Sequence, residues 1–154
     1  MKNQILEKSI VGEVQLSYSK TQEIQTIRIK SSKDIVAFIR EVFPIEQINH
    51  REYAYSIFLD RANQILGYFM ISAGGISGTI IDPRIVFQSA LLSNASSIIL
   101  FHNHPSQNLN PSEADKKITK KIANAGNFLD ITLLDHIIIT ENCYYSFADE
   151  GMLK

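Results

Sequence analysis

The stretch that most limits the possible folds is the short apolar run Ser97-Ile-Ile-Leu-Phe101, which passes without a break into His102-Asn103-His104-Pro105. Such a run reads as a buried strand. Residues i and i+2 of a strand point to the same side, so His102 and His104 aim both rings at one point. Pro105 turns the chain out of the sheet, which places the pair at the strand's mouth. Asp115 stands eleven positions beyond His104, with a polar, Asn-rich loop between them. That loop leaves room for Asp115 to return on the first turn of a following helix. Two neutral imidazoles and one carboxylate form a three-ligand zinc set that leaves one position for water. Zinc lowers the pKa of such a water to about 7, so the pattern points to hydrolysis.

Each piece also has a plain structural reading. His-x-His pairs are common. Ser112-Glu113-Ala114-Asp115 is an equally good helix start, with Ser112 at the N-cap and Asp115 three residues on, an arrangement that stabilises by about 1 kcal/mol. On that reading the loop is a turn and Asp115 a cap.

The rest of the chain alternates strands and helices. Residues 10–18 and 23–30 read as a hairpin. Ser31 or Ser32 caps a helix with Ile35, Phe38, Ile39 and Val42 inward, ended by Pro44. Residues 52–60 and 64–72 flank the short turn Arg61-Ala62-Asn63 as a second hairpin. Gly74, Gly75 and Gly78 follow; no Gly-Lys-Ser/Thr continues them, so they read as a flexible cleft rim rather than a phosphate loop. Pro83 opens a helix with Val86, Ala90 and Leu91 inward, ending near Asn94. A helix over 113–126 carries Ile118, Ile122 and Ala125 on its inner side and stops at Gly126. Two short strands at 130–134 and 136–140 and an extended piece at 143–147 close the chain. The order predicts an α/β single domain with a mixed sheet flanked by helices.

The 154 residues suffice for one domain, and a chain of this size buries about 68–70% of the surface its unfolded form exposes. The net charge of −1 offers no basic excess for phosphates, which argues against a dedicated nucleic-acid binder. Lys116, Lys117, Lys120 and Lys121 read as a solvated helix face. One cysteine, Cys143, excludes an internal disulfide and every multi-cysteine zinc site; it reads as a buried thiol in a reduced, cytoplasmic setting. The N-terminus lacks the apolar core of a signal peptide, and no apolar run approaches the roughly 20 residues that span a bilayer. His50 reads as a surface residue. His136, beside a buried strand, reads as a core histidine or a support for the site rather than a fourth ligand.

The spacing His102-x-His104, ten residues, then Asp115, with Ser112 three before it, resembles the JAMM motif of JAB/MPN zinc metallopeptidases. The nearer likeness is to RadC-like proteins, a bacterial JAB branch associated with DNA repair. It rests on His102-Asn-His-Pro-Ser106 and Pro111-Ser-x-x-Asp115, and extends through Arg51-Glu52 to Leu59-Asp60, Gly78-Thr79, Pro83-Arg84, Leu134-Asp135-His136-Ile137-Ile138 and Tyr145-Ser146-Phe147. It covers about residues 20 to 152. The resemblance implies a cytidine-deaminase-like JAB/MPN fold over 31–154, preceded by an N-terminal strand extension over 1–30. It implies Zn2+ held by His102, His104 and Asp115, with Glu52 as catalytic base and Ser112 as donor to an oxyanion. Spacing alone does not choose Glu52 over Glu41 or Glu46; without the likeness it is an exposed carboxylate at a strand start. The implied reaction is cleavage of a peptide or isopeptide bond in a protein substrate.

The chain departs from the family pattern where Gln107 replaces a usual Gly, which would narrow the cleft or alter the turn, and where Ile85 rather than Glu follows Arg84. A helix-hairpin-helix region common in full-length relatives is not expected in a chain this short. The alternative function is a non-enzymatic module that keeps the fold to bind DNA or a protein. Strand edges leave a homodimer open.

Overall fold

The computed structural model describes residues 27–75 and 78–153. The hairpin expected over 10–18 and 23–30 lies largely outside these residues. Within them, residues 27–29 pair with 63–65 through Ile29 N–H to Asn63 O and Ile65 N–H to Ile27 O. The order is α1 (Ser32–Val42), β1 (Tyr53–Leu59), β2 (Ile65–Ala73), α2 (Pro83–Leu92), β3 (Ser97–Asn103), α3 (Glu113–Phe128), β4 (Thr132–Ile139) and β5 (Tyr144–Ser146). The strands form one mixed sheet in the order β2-β1-β3-β4-β5. Only β3 and β4 run parallel, joined across one face by α3.

The two-residue period of the central strands sorts their side chains into two cores. Tyr53, Tyr55, Ile57 and Leu59 of β1, with Ile99 and Phe101 of β3, pack against Ile35, Phe38 and Ile39 of α1. Ala54, Phe58, Ile98 and Leu100 face the other way, against Val86, Phe87 and Ala90 of α2 and Ile122 of α3. This is a single three-layer α/β domain, a mixed five-stranded sheet flanked by three helices. Residues 102 and 104 thus open toward the α2/α3 layer, at the carboxyl end of a central strand, where open α/β sheets place their crevices.

Four expectations are corrected. Leu91 is 55% exposed; Phe87 takes the inward position instead. Gly126 does not end α3, which runs to Phe128; a Cβ there would collide with the Ile131 carbonyl, so glycine serves a close approach of helix to chain. Cys143 is exposed, because it lies on the turn between β4 and β5. The two strands expected at 130–134 and 136–140 are one strand, β4. Asp135 interrupts the apolar pattern without breaking the strand, since its carboxylate accepts from Ser146 Oγ at 2.6 Å and from the Ala148 N–H at 3.0 Å.

The pairing of β4 with β3 slips at this point: Ile98 faces Leu133 but Ile99 faces Asp135, so Leu134 is an extra residue. A one-residue slip moves all later side chains to the opposite face. Leu133 packs in the α2/α3 core, yet Ile137 and Ile139 lie in the α1 core. The bulge is what turns His136 toward α3 and His102.

Candidate metal centre

His102 is the last inward residue of β3 and is 1% exposed. His104 follows just past the strand, anchored by its N–H to Ile139 O at 3.0 Å. Their Nε2 atoms lie 2.9 Å apart. Glu52 arrives from the chain entering β1. Its backbone pairs with the loop after β2, Glu52 N–H to Gly75 O at 3.0 Å and Gly74 N–H to Glu52 O at 2.8 Å. Gly74 is required there: a Cβ would strike the Gly78 carbonyl and crowd Thr79. One ligand atom each from Glu52, His102 and His104 lie within 4.8 Å of one another.

Asp115 of α3 stands beside the two histidines, outside that three-residue group. Its Oδ1 is 3.3 Å from His102 Nε2 and its Oδ2 is 3.7 Å from His104 Nε2. The two oxygens divide their work. Oδ2 accepts from the Ser112 N–H at 2.7 Å and the Ser112 hydroxyl at 2.6 Å, while Ser112 Oγ accepts from the Asp115 N–H at 3.1 Å. This is a full capping box, so the helix start fixes where the carboxylate stands. Oδ1 is left facing His102. The Ser112 proton is directed at Asp115, so donation to any other oxygen requires that hydroxyl to rotate.

His104 donates Nδ1–H to the Asn108 carbonyl at 2.5 Å, since a carbonyl only accepts. Its neutral form therefore presents a bare Nε2 to the Nε2 of His102. A proton on one nitrogen, or a metal ion held by both, satisfies two ring nitrogens at 2.9 Å. Two imidazoles with adjacent carboxylates are the donor set that zinc takes. The residues present fit the ion that the motif implies.

The electrostatics agree. Burial pushes His102 down to about 4, which keeps the ring neutral. Burial also opposes protonation of His104, but Asp115, the Asn108 carbonyl and Glu52 outweigh it and raise its pKa. Burial works against the Asp115 anion too, yet His104, His102 and Ser112 hold the carboxyl well below its usual range. Burial raises Glu52, partly offset by His104. The cleft above these groups runs between Thr79, Ile80 and Ile81 on one side and Ala114 and Ile118 on the other, with Glu52, His102 and Asp115 in its lining.

Two residues of the site were not singled out from sequence. Asn103, between the histidines, points to the opposite face and is fully buried. Its Oδ1 accepts from the Tyr53 N–H at 2.7 Å, and its Nδ2 donates to Ile48 O at 2.8 Å and Arg51 O at 2.9 Å. It thus clamps the residues on both sides of Glu52. Thr119 lies one helical turn after Asp115 and bonds His136 at 2.6 Å. His136, expected as a core or supporting histidine, is fully buried and bonds His102 Nδ1 at 2.8 Å. Position within the motif is the one sequence signal for Asn103, and the i+4 spacing from Asp115 the one for Thr119. His50 is exposed, as are Lys117, Lys120 and Lys121.

Residues 29–152 match the family model described as the RadC-like JAB domain. The chain belongs to the RadC-like JAB domain family. It is 45% identical over 146 residues to a UPF0758 protein of Flavobacterium johnsoniae, covering 94% of this chain and 62% of that protein. A UPF0758 protein of Chlorobaculum tepidum is 38% identical over 82% of this chain and 56% of its own length. One from Listeria monocytogenes is 42% identical over 73% of this chain and 50% of its own. This RadC-like chain thus spans between half and two thirds of the length of these relatives.

The glycine expected at position 107 from the family likeness would have a backbone reason. Gln107 has φ +63°, in the left-handed region that glycine enters freely. Its side chain does not line the cleft. Its Nε2 donates to Asn49 Oδ1 at 2.5 Å and its Oε1 accepts from the Glu141 N–H at 3.0 Å. The turn is kept, and the side chain ties it to two neighbouring loops.

Proposed function

We propose that this RadC-like chain is a zinc-dependent hydrolase of JAMM type, cleaving a peptide or isopeptide bond of a protein substrate in the cytoplasm. One observation carries the reading: His102 Nε2 and His104 Nε2 converge at 2.9 Å, with Glu52 and Asp115 oxygens beside them at the mouth of a cleft. His102, His104 and the free Oδ1 of Asp115 would hold the ion. Bound zinc would supply a water of pKa about 7 and a Lewis acid for the scissile carbonyl.

The protein's own groups do the rest. Glu52 is placed to accept a proton from water in the cleft and to pass it to the leaving amine; half-burial raises its proton affinity toward that task. Ser112, once its hydroxyl turns from Asp115, donates to the oxygen that gains charge. Ile80, Ile81 and Ile118 supply an apolar surface for the side chain next to the scissile bond.

The test is metal analysis on protein purified without a nickel column, followed by a screen of peptide and isopeptide libraries. Stoichiometric zinc and turnover are expected. Glu52→Gln is expected to keep zinc and lose about 10²–10⁴-fold in rate, the usual worth of a positioned proton carrier. Wild-type rates in Glu52→Gln would remove Glu52 from the mechanism. A protein without zinc or turnover would instead be a binding module on this fold.

A further inference from the structure

Behind the candidate metal centre, three fully or nearly fully buried side chains form a line: His102 of β3, His136 of β4 and Thr119 of α3, exposed by 1%, 0% and 2%. His102 Nδ1 lies 2.8 Å from His136 Nε2, and His136 Nδ1 lies 2.6 Å from Thr119 Oγ. Phe147 stacks on His136 at 4.9 Å and 15° and seals the line from the far side.

The direction of these bonds is set at one end. Thr119 Oγ is 2.6 Å from the backbone carbonyl of Asp115. A carbonyl accepts only, so the single hydroxyl proton is committed there. Thr119 Oγ must then accept from His136 Nδ1–H. A neutral imidazole carries one ring proton, so His136 Nε2 is bare and accepts from His102 Nδ1–H. His102 Nε2 is bare in turn, and that is the atom facing His104 and Asp115. The alternative, an imidazolium at His136, would bury a cation with no carboxylate among its hydrogen-bond partners.

We infer that Thr119 and His136 are positioning residues, a directional hydrogen-bond chain that fixes His102 as the Nδ1–H tautomer and presents its Nε2 lone pair to the metal. The chain begins at the carbonyl of Asp115 and ends at His102. It therefore links the proposed ligands on α3 and β3 through His136 of the neighbouring strand β4. The Leu134 bulge, which turns His136 to this face, is part of the same device. The metal-affinity arm rests on the metal reading above; the tautomer arm does not.

The test uses 15N-histidine-labelled, metal-free protein above neutral pH. Imidazole 15N spectra are expected to show one tautomer, Nδ1–H, at both His102 and His136. Nε2–H at either residue would overturn the chain, whether or not zinc binds. Thr119→Val removes the acceptor at constant shape and is expected to give mixed tautomers. Its zinc affinity, read by competition with a chromophoric chelator, is expected to fall by about 10–100-fold, the usual worth of such a partner. Thr119→Ser keeps the hydroxyl and is expected to retain both readouts. Wild-type zinc affinity in a folded Thr119→Val would overturn the positioning role. Should no variant bind zinc, wild type included, the metal reading fails while the spectra still decide the chain.

Discussion

Phe101 and His102 are neighbours on β3 and serve opposite faces of one sheet. Phe101 stacks on Tyr55 at 4.8 Å with the rings within 1° of parallel, and Phe43 meets it edge-on at 6.3 Å. Its neighbours on this face are apolar and aromatic side chains. His102 has a defined partner at each nitrogen. The difference is one of redundancy. Apolar packing is non-directional and spread over several residues, so a lost contact is shared among them. The polar face is a chain of single partners in which each bond fixes the direction of the next. Damage on the first face should appear as lost stability, and damage on the second as lost chemistry in a folded protein.

The sharpest division is expected from Phe101→Ala. Removing a fully buried ring costs about 3–5 kcal/mol, a large fraction of a domain's total. A urea titration should show the midpoint falling at unchanged slope. Zinc bound per folded molecule should not change. If stability held while zinc was lost, the two faces would not be separate in the way the packing indicates.

Asn103 should break that tidy division. It lies on the Phe101 side of β3 but clamps Ile48, Arg51 and Tyr53 around Glu52. Asn103→Leu keeps the branched shape and leaves one backbone N–H and two carbonyls without this partner. A cost of about 1–3 kcal/mol follows for each group left buried and unpaired, less where water reaches it. Turnover should fall with zinc occupancy retained, because Glu52 is displaced and His102 is not. Wild-type turnover in this variant would mean that the Gly74 and Gly75 pairing alone places Glu52.

The same contrast explains what could be read before folding. The apolar faces of α1, β1 and β3 follow from periods of 3.6 and 2, and the strand-end pair His102 and His104 follows from the period of 2 as well. Ser112 and Asp115 carry a local capping signal, so their proximity was also legible. Glu52 was not, since it reaches the site through β1 pairing with the loop at Gly74 and Gly75. Likeness to the family supplied it. Gly126 looked like a stop because glycine usually serves that purpose in a helix; its real constraint is the Ile131 carbonyl, a tertiary contact. The bulge at Leu134 left no mark that period-counting detects, so β4 read as two strands and the facing of His136 stayed open.

The smallest effect is expected at Gln107, and it tests whether the loop between β3 and α3 is passive. Substitution to Gly relieves a left-handed φ, a gain of about 1–2 kcal/mol by the general cost of that region. It also removes bonds to Asn49 and to Glu141, each worth about 0.5–1.5 kcal/mol. It restores flexibility to the unfolded chain, which opposes the gain by about 0.4–1 kcal/mol. At their midpoints these terms leave a net loss of about 1 kcal/mol, which the urea midpoint should report. Zinc affinity should be unchanged, because the side chain reaches away from the cleft and His104 keeps its bond to Asn108. A clear loss of zinc affinity in Gln107→Gly would show that the ties to Asn49 and Glu141 hold His104 in place, and that the loop belongs to the metal site.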